Sequence, residues 1–352
     1  MSSTTTTTSP PGGAPPSRDG FAIEARDLSK TYAGKVRALT GLSVSVGAGT
    51  VFALLGPNGA GKSTTVKILT TLTRPDAGTA TVAGHDVLRH PDAVRRSIGY
   101  VSQKPQFDPE ATGSENLYLQ GRLYGVPRKQ LRTLARALLE RFGLGDAAHR
   151  PARTYSGGMQ RKLDVALALV HTPKVLFLDE PTTGLDPHAR ADMWQEISRL
   201  ASDDGLTILL TTHYLDEADQ LAHEVAIVDR GAIVAQDSPE RLKSELRGDA
   251  ILVEFAQPAV DSEIAAALGR LDGIREISVD GASVRARADQ GARAVPAVLA
   301  TLEATGVGVA SVTVARPSLD DVYLRYAGRR FDERDGQLSN GSATHHTEEV
   351  GR

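Results

Sequence analysis

Between Phe21 and Val46 the apolar residues Ile23, Leu28, Tyr32, Val36, Leu39, Leu42, Val44 and Val46 alternate loosely around turn signals, the pattern of half-buried antiparallel strands. The texture changes at Val51-Phe52-Ala53-Leu54-Leu55, a continuous apolar run that ends in a glycine turn and is followed by Val66, Leu69 and Leu72 at helical spacing. Strand, loop and helix are predicted there. Further on, Leu131, Leu134, Ala135, Leu138, Leu139 and Phe142 recur at the spacing of one helix face, which predicts a helix of about four turns. Short apolar or β-branched runs at Val175–Leu178 and Thr207–Thr212 read as buried parallel strands. A hairpin is predicted from Val225–Val228 and Ile233–Ala235, turning on Asp229-Arg230-Gly231.

After about Gly248 a second pattern begins: strand 251–256, helix 263–271, strand 274–279, an Asp280-Gly281 turn, strand 283–288, helix 294–305 and strand 309–315. That β-α-β-β-α-β order is the split arrangement of a ferredoxin-like domain. Pro296 falls where a first helical turn would tolerate it. A last short helix is expected to begin at Ser318, with Asp321 in the capping-box position. Residues 1–20 carry a threonine run with Pro and Gly, and residues 329–352 are polar, so both are expected to be disordered tails. The second unit, 249–328, has enough apolar positions for its own core and is expected to be separable from the first.

Composition narrows the function classes. A length of 352 residues and 40% hydrophobic content allow two domains at roughly 100–200 residues each. A net charge of -3 is unlike a chain built to neutralise phosphate backbones, so nucleic acid is not the expected partner. With no cysteine, disulfides, thiolate metal sites and cysteine nucleophiles are excluded. The amino-terminal segment lacks the apolar core of a signal peptide. No run approaches the roughly 20 apolar residues of a spanning helix; work at a membrane would need another chain to span it.

Three segments carry the chemistry. Gly56-Pro57-Asn58-Gly59-Ala60-Gly61-Lys62-Ser63-Thr64 matches a phosphate loop between strand and helix. Its glycines admit backbone amides to the phosphates, Lys62 contacts the outer phosphates, and Ser63 ligates Mg²⁺. Asp179-Glu180 ends an apolar strand, at the carboxyl edge where open α/β sheets bind ligands. There Asp179 would hold Mg²⁺ and Glu180 would polarise the attacking water. Tyr155-Ser156-Gly157-Gly158-Met159 precedes a helix and gathers a hydroxyl, two unobstructed amides and a helix dipole, which makes an anion site. Helix capping alone would explain the serine but not two glycines that weaken the helix.

In this order the three segments resemble the ATP-binding-cassette (ABC) ATPases over about residues 22–240. The resemblance implies an α/β P-loop cassette over 21–248, with a mixed sheet, an antiparallel β subdomain and an inserted helical subdomain at about 104–170. It also implies that the serine-glycine-glycine segment of one subunit closes on ATP held by the phosphate loop of another, so that a homodimer works. Tyr32 is then the aromatic that stacks on adenine. Gln103 reaches Mg²⁺ and the water, His213 bonds the γ-phosphate, and Gly184-Leu185-Asp186 resembles the family's small-Leu-Asp turn. The chain departs from the usual L-S-G-G-Q at Tyr155 and Met159. Thr112-Gly113-Ser114-Glu115-Asn116-Leu117, Gly121-Arg122-Leu123-Tyr124-Gly125 and Pro317-Ser318-Leu319-Asp320-Asp321-Val322-Tyr323-Leu324 look like the daunorubicin-resistance subgroup of bacterial exporters. That implies an ATPase on the cytoplasmic side of the membrane, driving efflux of a hydrophobic compound through a separate permease. An importer ATPase and a soluble ABC ATPase are the alternatives. A ferredoxin-like second unit disfavours the first; a single cassette without heptads or cysteines disfavours the second.

Overall fold

The computed structural model describes residues 20–257 and 261–328; the disordered tails expected at 1–20 and 329–352 lie, apart from Gly20, outside the described residues. The first unit runs β1 (Phe21–Tyr32), β2 (Val36–Gly47), β3 (Val51–Leu55), α1 (Lys62–Leu69), β4 (Ala77–Val82), β5 (His85–Asp86), α2 (Pro91–Ser97) and β6 (Ile98–Val101). The helical stretch α3 (Gly113–Leu123), α4 (Arg128–Arg141) and α5 (Gly157–Leu169) follows. The chain then returns to β7 (Val175–Asp179), α6 (Pro187–Ser202), β8 (Thr207–Thr212), α7 (Leu215–Leu221), β9 (Glu224–Asp229), β10 (Ala232–Asp237) and α8 (Pro239–Ser244). Last come β11 (Asp249–Phe255), α9 (Asp261–Leu268), β12 (Ile274–Val279), β13 (Ser283–Ala288), α10 (Gly291–Ala304), β14 (Val309–Ala315) and α11 (Leu319–Ala327).

The alternating segment near the amino terminus forms an antiparallel sheet of order β2-β1-β4-β5. The continuous apolar runs form a six-stranded sheet of order β10-β9-β3-β8-β7-β6, parallel except for β10. Every residue of β3, β7 and β8 is buried, as a strand covered on both faces requires. One face packs with the antiparallel sheet and α1 through Phe52, Leu54, Phe177 and Leu209. The other packs under α4, α5 and α6 through Leu55, Leu176, Leu178 and Leu210. The β9–β10 hairpin turns with Arg230 at φ 47° and Gly231 at φ 82°, the two left-handed central residues of a type I′ turn.

In the second unit the sheet order is β12-β13-β11-β14, antiparallel throughout. Ile264 and Leu268 of α9 and Val298 and Leu302 of α10 cover one face with Ile251, Val253 and Val284. Two sequence expectations change here. Pro296 lies in the interior of α10, not in its first turn. The helix starts earlier because the Gly291 amide donates to the Asp249 carboxylate across the fold at 2.9 Å, a cap that no local pattern announces. Second, the apolar face of α11 packs outside this unit: Leu319, Val322 and Tyr323 are all but fully buried in the core of the first, while Asp321 pairs with Arg285 and Arg287 of β13 at 2.6 and 3.2 Å.

The Ser318–Asp321 capping box is formed as expected, but the helix it starts serves the cassette, so the expected separability of 249–328 does not extend to α11. Tyr326 and Arg325 add hydrogen bonds to Glu245. Removing a buried aromatic ring costs about 3–5 kcal/mol. Tyr323→Ala is therefore expected to shift chemical unfolding of the first unit by about that amount. The single tryptophan, Trp194, lies in α6, so its fluorescence reports that unit alone. An unchanged midpoint would show that α11 adds nothing to the cassette.

Candidate active site

Parallel pairing of β3, β8, β7 and β6 brings four strand ends to one edge: Leu55 registers with Thr212, and Asp179 with Thr211. The segments after these ends carry the expected residues: the phosphate loop, His213, Glu180 and Ser102-Gln103. Within the loop, Asn58 and Gly59 are exposed at the tip while Pro57 and Ala60 are buried and Thr64 is half-buried. Gly56 and Gly61 admit no other residue. A Cβ on Gly56 would sit 2.3 Å from the Val228 carbonyl, and Gly61 has φ 113° with the Ala38 carbonyl 2.7 Å from any Cβ. Lys62 donates to the carbonyls of Gly56 at 2.5 Å and Pro57 at 3.1 Å. Its ammonium is buried, which lowers its pKa against the opposing pull of Glu180 and Asp179.

Ser63 and Asp179, 116 positions apart, meet: the Ser63 hydroxyl donates to Asp179 Oδ1 at 3.1 Å, and Thr211 donates to the same oxygen at 2.6 Å. One hydroxyl and one carboxylate make a hard, oxygen-only set. Among the described residues no group of three or more His, Cys, Asp or Glu could hold a metal alone. The donor set fits Mg²⁺, which keeps waters and uses one or two protein oxygens together with substrate phosphates.

Glu180 has φ 50°, a left-handed conformation that side-chain-bearing residues rarely adopt. Its amide is held by Thr211, through the hydroxyl at 3.0 Å and the carbonyl at 3.2 Å. Its carboxylate lies 3.9 Å from Lys62 Nζ and 3.3 Å from His213 Nδ1, and it accepts from the Thr183 hydroxyl at 3.2 Å. The His213 ring is not aligned to bond it: Nδ1 is buried without a hydrogen-bond partner among the described residues. Burial works to raise the Glu180 pKa, but His213, Lys62 and Thr183 outweigh it and hold the carboxyl below the ordinary range.

Other expected residues stand apart from this cluster. Tyr32 is 39% exposed at the end of β1, so it is not a core tyrosine, and the Lys30 ammonium lies over its ring, 5.7 Å from the centroid. Gln103 is exposed, and its side chain bonds to none of the described residues. Asp186 caps α6 by accepting from the Ala189 amide at 2.9 Å. Ser156 caps α5, accepting from Met159 at 3.3 Å; a Cβ on Gly157 would meet open space, whereas one on Gly158 would touch Ala189 at 3.0 Å. Tyr155, the first residue of the expected nucleotide-binding segment 155–158, contributes no side chain to a ligand site. Its ring is buried and its hydroxyl donates to the Ala147 carbonyl at 2.7 Å, so only its backbone can face a ligand.

Three partners escaped the sequence reading. Thr211 serves both Asp179 and Glu180, and the only cue was its place at the end of a predicted parallel strand. Glu217 is fully buried and accepts from Thr182 at 2.8 Å and Trp194 at 3.0 Å, which ties the segment after β7 to the helix after His213. Burial raises its pKa against those bonds. Arg161 donates to four backbone carbonyls, and a positive residue in a helix gives no sign of that.

Comparison with known proteins agrees with this geometry. Residues 39–183 match the ABC transporter family model, and residues 238–327 match the C-terminal domain of DrrA1-3-like ATP-binding proteins. The chain is 47% identical over 320 residues to a daunorubicin/doxorubicin resistance ATP-binding protein of Streptomyces peucetius, covering 89% of this chain and 94% of the relative. It is 44% identical to a daunorubicin resistance ATP-binding protein of Streptomyces coeruleorubidus, covering 91% and 99%. A dimeric ATP-binding cassette solved in a post-hydrolysis state with ADP and Pi aligns at TM-score 0.56 and 25% identity, over 61% of this chain and 98% of that one. The matches span both units, and the chain belongs to the ATP-binding subunits of ABC transporters, within the daunorubicin and doxorubicin resistance group, as an ATPase that uses Mg²⁺.

Proposed function

We propose that this chain powers efflux of a hydrophobic, drug-like compound through a separately encoded permease. ATPases of this family work as dimers beside transmembrane subunits. Among the described residues no helix is long and apolar enough to cross a membrane. The reading makes the chain a homodimer docked peripherally on the cytoplasmic side of the membrane, with no nucleic-acid partner. The observation that carries it is end-to-end similarity, second unit included, to proteins named for resistance to daunorubicin and doxorubicin.

In this scheme the loop from Gly56 to Thr64 and Lys62 hold the phosphates of ATP, and Tyr32 stacks on the base. Ser63, Asp179 and Gln103 would hold Mg²⁺, which neutralises phosphate charge when bound. Glu180 polarises the attacking water, while His213 contacts the terminal phosphate. Ser156, Gly157, Gly158 and Asp186 face the nucleotide of the opposite subunit. The closest rival is an importer ATPase with the same nucleotide motifs.

Co-expression with the permease of a neighbouring reading frame in a drug-sensitive host tests the reading. The expected result is ATP-dependent loss of preloaded anthracycline from the cells and copurification of the two subunits. ATP-driven uptake of a solute, with no efflux, would overturn it.

A further inference from the structure

Arg161 is the fifth residue of α5 and only 8% exposed. Its guanidinium donates from Nε to the Pro181 carbonyl at 2.8 Å, from Nη1 to that of Ser102 at 2.6 Å, and from Nη2 to those of Asp179 and Glu180 at 3.1 Å each. Among the described residues no carboxylate forms an ion pair with it; Asp164, Asp179 and Glu217 act on it from longer range. A buried cation is costly unless its donors are satisfied. Only a planar fork can serve so many carbonyls at once. One side chain thus joins the helix that begins at Ser156, the segment leading to Gln103, and the backbone of Glu180.

The Glu180 end of this network is strained. A left-handed, non-glycine residue is strained and persists only where its surroundings over-determine it. Here the Glu180 amide is fixed by Thr211 and its carbonyl by Arg161. We propose that Arg161 is a positioning residue for hydrolysis, which holds Glu180 in that conformation and makes it follow the position of the Ser156 helix. The inference rests on the reading that Glu180 polarises the attacking water. Closure of a second subunit against Ser156 is thereby felt at Glu180 through one rigid side chain.

Arg161→Lys keeps the charge and loses the fork, so it is the informative variant; Arg161→Met removes both. For Arg161→Lys, ATP affinity and KM are expected to stay within about threefold while kcat falls on the order of 10²-fold, the usual loss for a reacting group displaced by about 1 Å. In a Glu180→Gln background the same change is expected to add no further loss to the single-turnover rate, because the two residues act as a unit. Wild-type kcat in Arg161→Lys would overturn the proposal. So would an additive loss in the double variant, or a joint fall of affinity, kcat and thermal midpoint, which marks a purely structural role. Near-normal hydrolysis by Glu180→Gln alone would instead remove the underlying reading, without reference to Arg161.

Discussion

Glu180→Gln is expected to lower ATP turnover by about 10²–10⁴, the loss typical for removal of a general base. Glutamine preserves the length of the side chain and an oxygen for the Thr183 hydroxyl, now 3.2 Å away. The phosphate loop, Ser63 and Asp179 are untouched, so ATP should bind and persist. Size exclusion with ATP should then reveal a stable dimer in the variant and a transient one in the wild type. Near-normal hydrolysis would reject Glu180 as the base. The sign of the pH dependence follows from the site. With its pKa below the ordinary 4.5, the carboxylate is ionised above that value, and its function and its stabilising contacts are lost only as pH falls through the lowered folded-state pKa. An activity loss centred nearer neutrality would belong to another group.

Ser156→Arg is expected to abolish hydrolysis while sparing nucleotide binding by the monomer. The hydroxyl caps α5, and loss of a cap costs about 1 kcal/mol, too little to unfold a cassette of this size. What the substitution adds is bulk and charge where the open amides of Gly157 and Gly158 would face the nucleotide of a second subunit. Loss of a single preorganised anion donor lowers turnover by about 10²–10³, and steric exclusion of the partner should exceed that. Ser156→Asp controls for the cap: aspartate caps as well as serine and suits the helix dipole, yet it repels phosphate, so it should fold normally and hydrolyse poorly. Monomer affinity for ATP measured by fluorescence titration should change little in either variant. Its collapse would refute the two-subunit site.

Much of the fold is legible in the sequence. Continuous apolar runs at Val51–Leu55, Val175–Leu178 and Thr207–Thr212 carry no alternation because both faces of those strands are covered. The stripe from Leu131 to Phe142 stands out because α4 buries one face and leaves the other to solvent. Local capping at Ser318 was equally legible, since a capping box spans four residues. The order of the second unit's elements was visible too, whereas the pairing of β11 with both β13 and β14 joins strands far apart in sequence and is decided by the closed sheet.

The candidate site divides along the same line. Backbone-defined motifs announce themselves: Gly56 and Gly61 are dictated by close approach and left-handed geometry, and Lys62, Ser63, Asp179 and Glu180 stand at fixed distances from strand ends. Composition added the absence of cysteine and of any long apolar run, and motif order pointed to a nucleotide shared between two chains. Partners chosen by register across the sheet left no local trace. Thr211 meets Asp179 only because β7 and β8 pair with those residues level, and Asp249 caps α10 only after the second sheet has closed. Arg161 and Glu217 look like ordinary surface charges of amphipathic helices until α5 and α7 pack down and exclude water from them. Periodicity along the chain determines which face of an element is buried. The packing of elements distant in sequence decides which polar group is buried with it and which carbonyl, hydroxyl or carboxylate must satisfy that group, and so why Tyr155 faces the core, why α11 belongs to the cassette and why Glu180 is held in a strained turn.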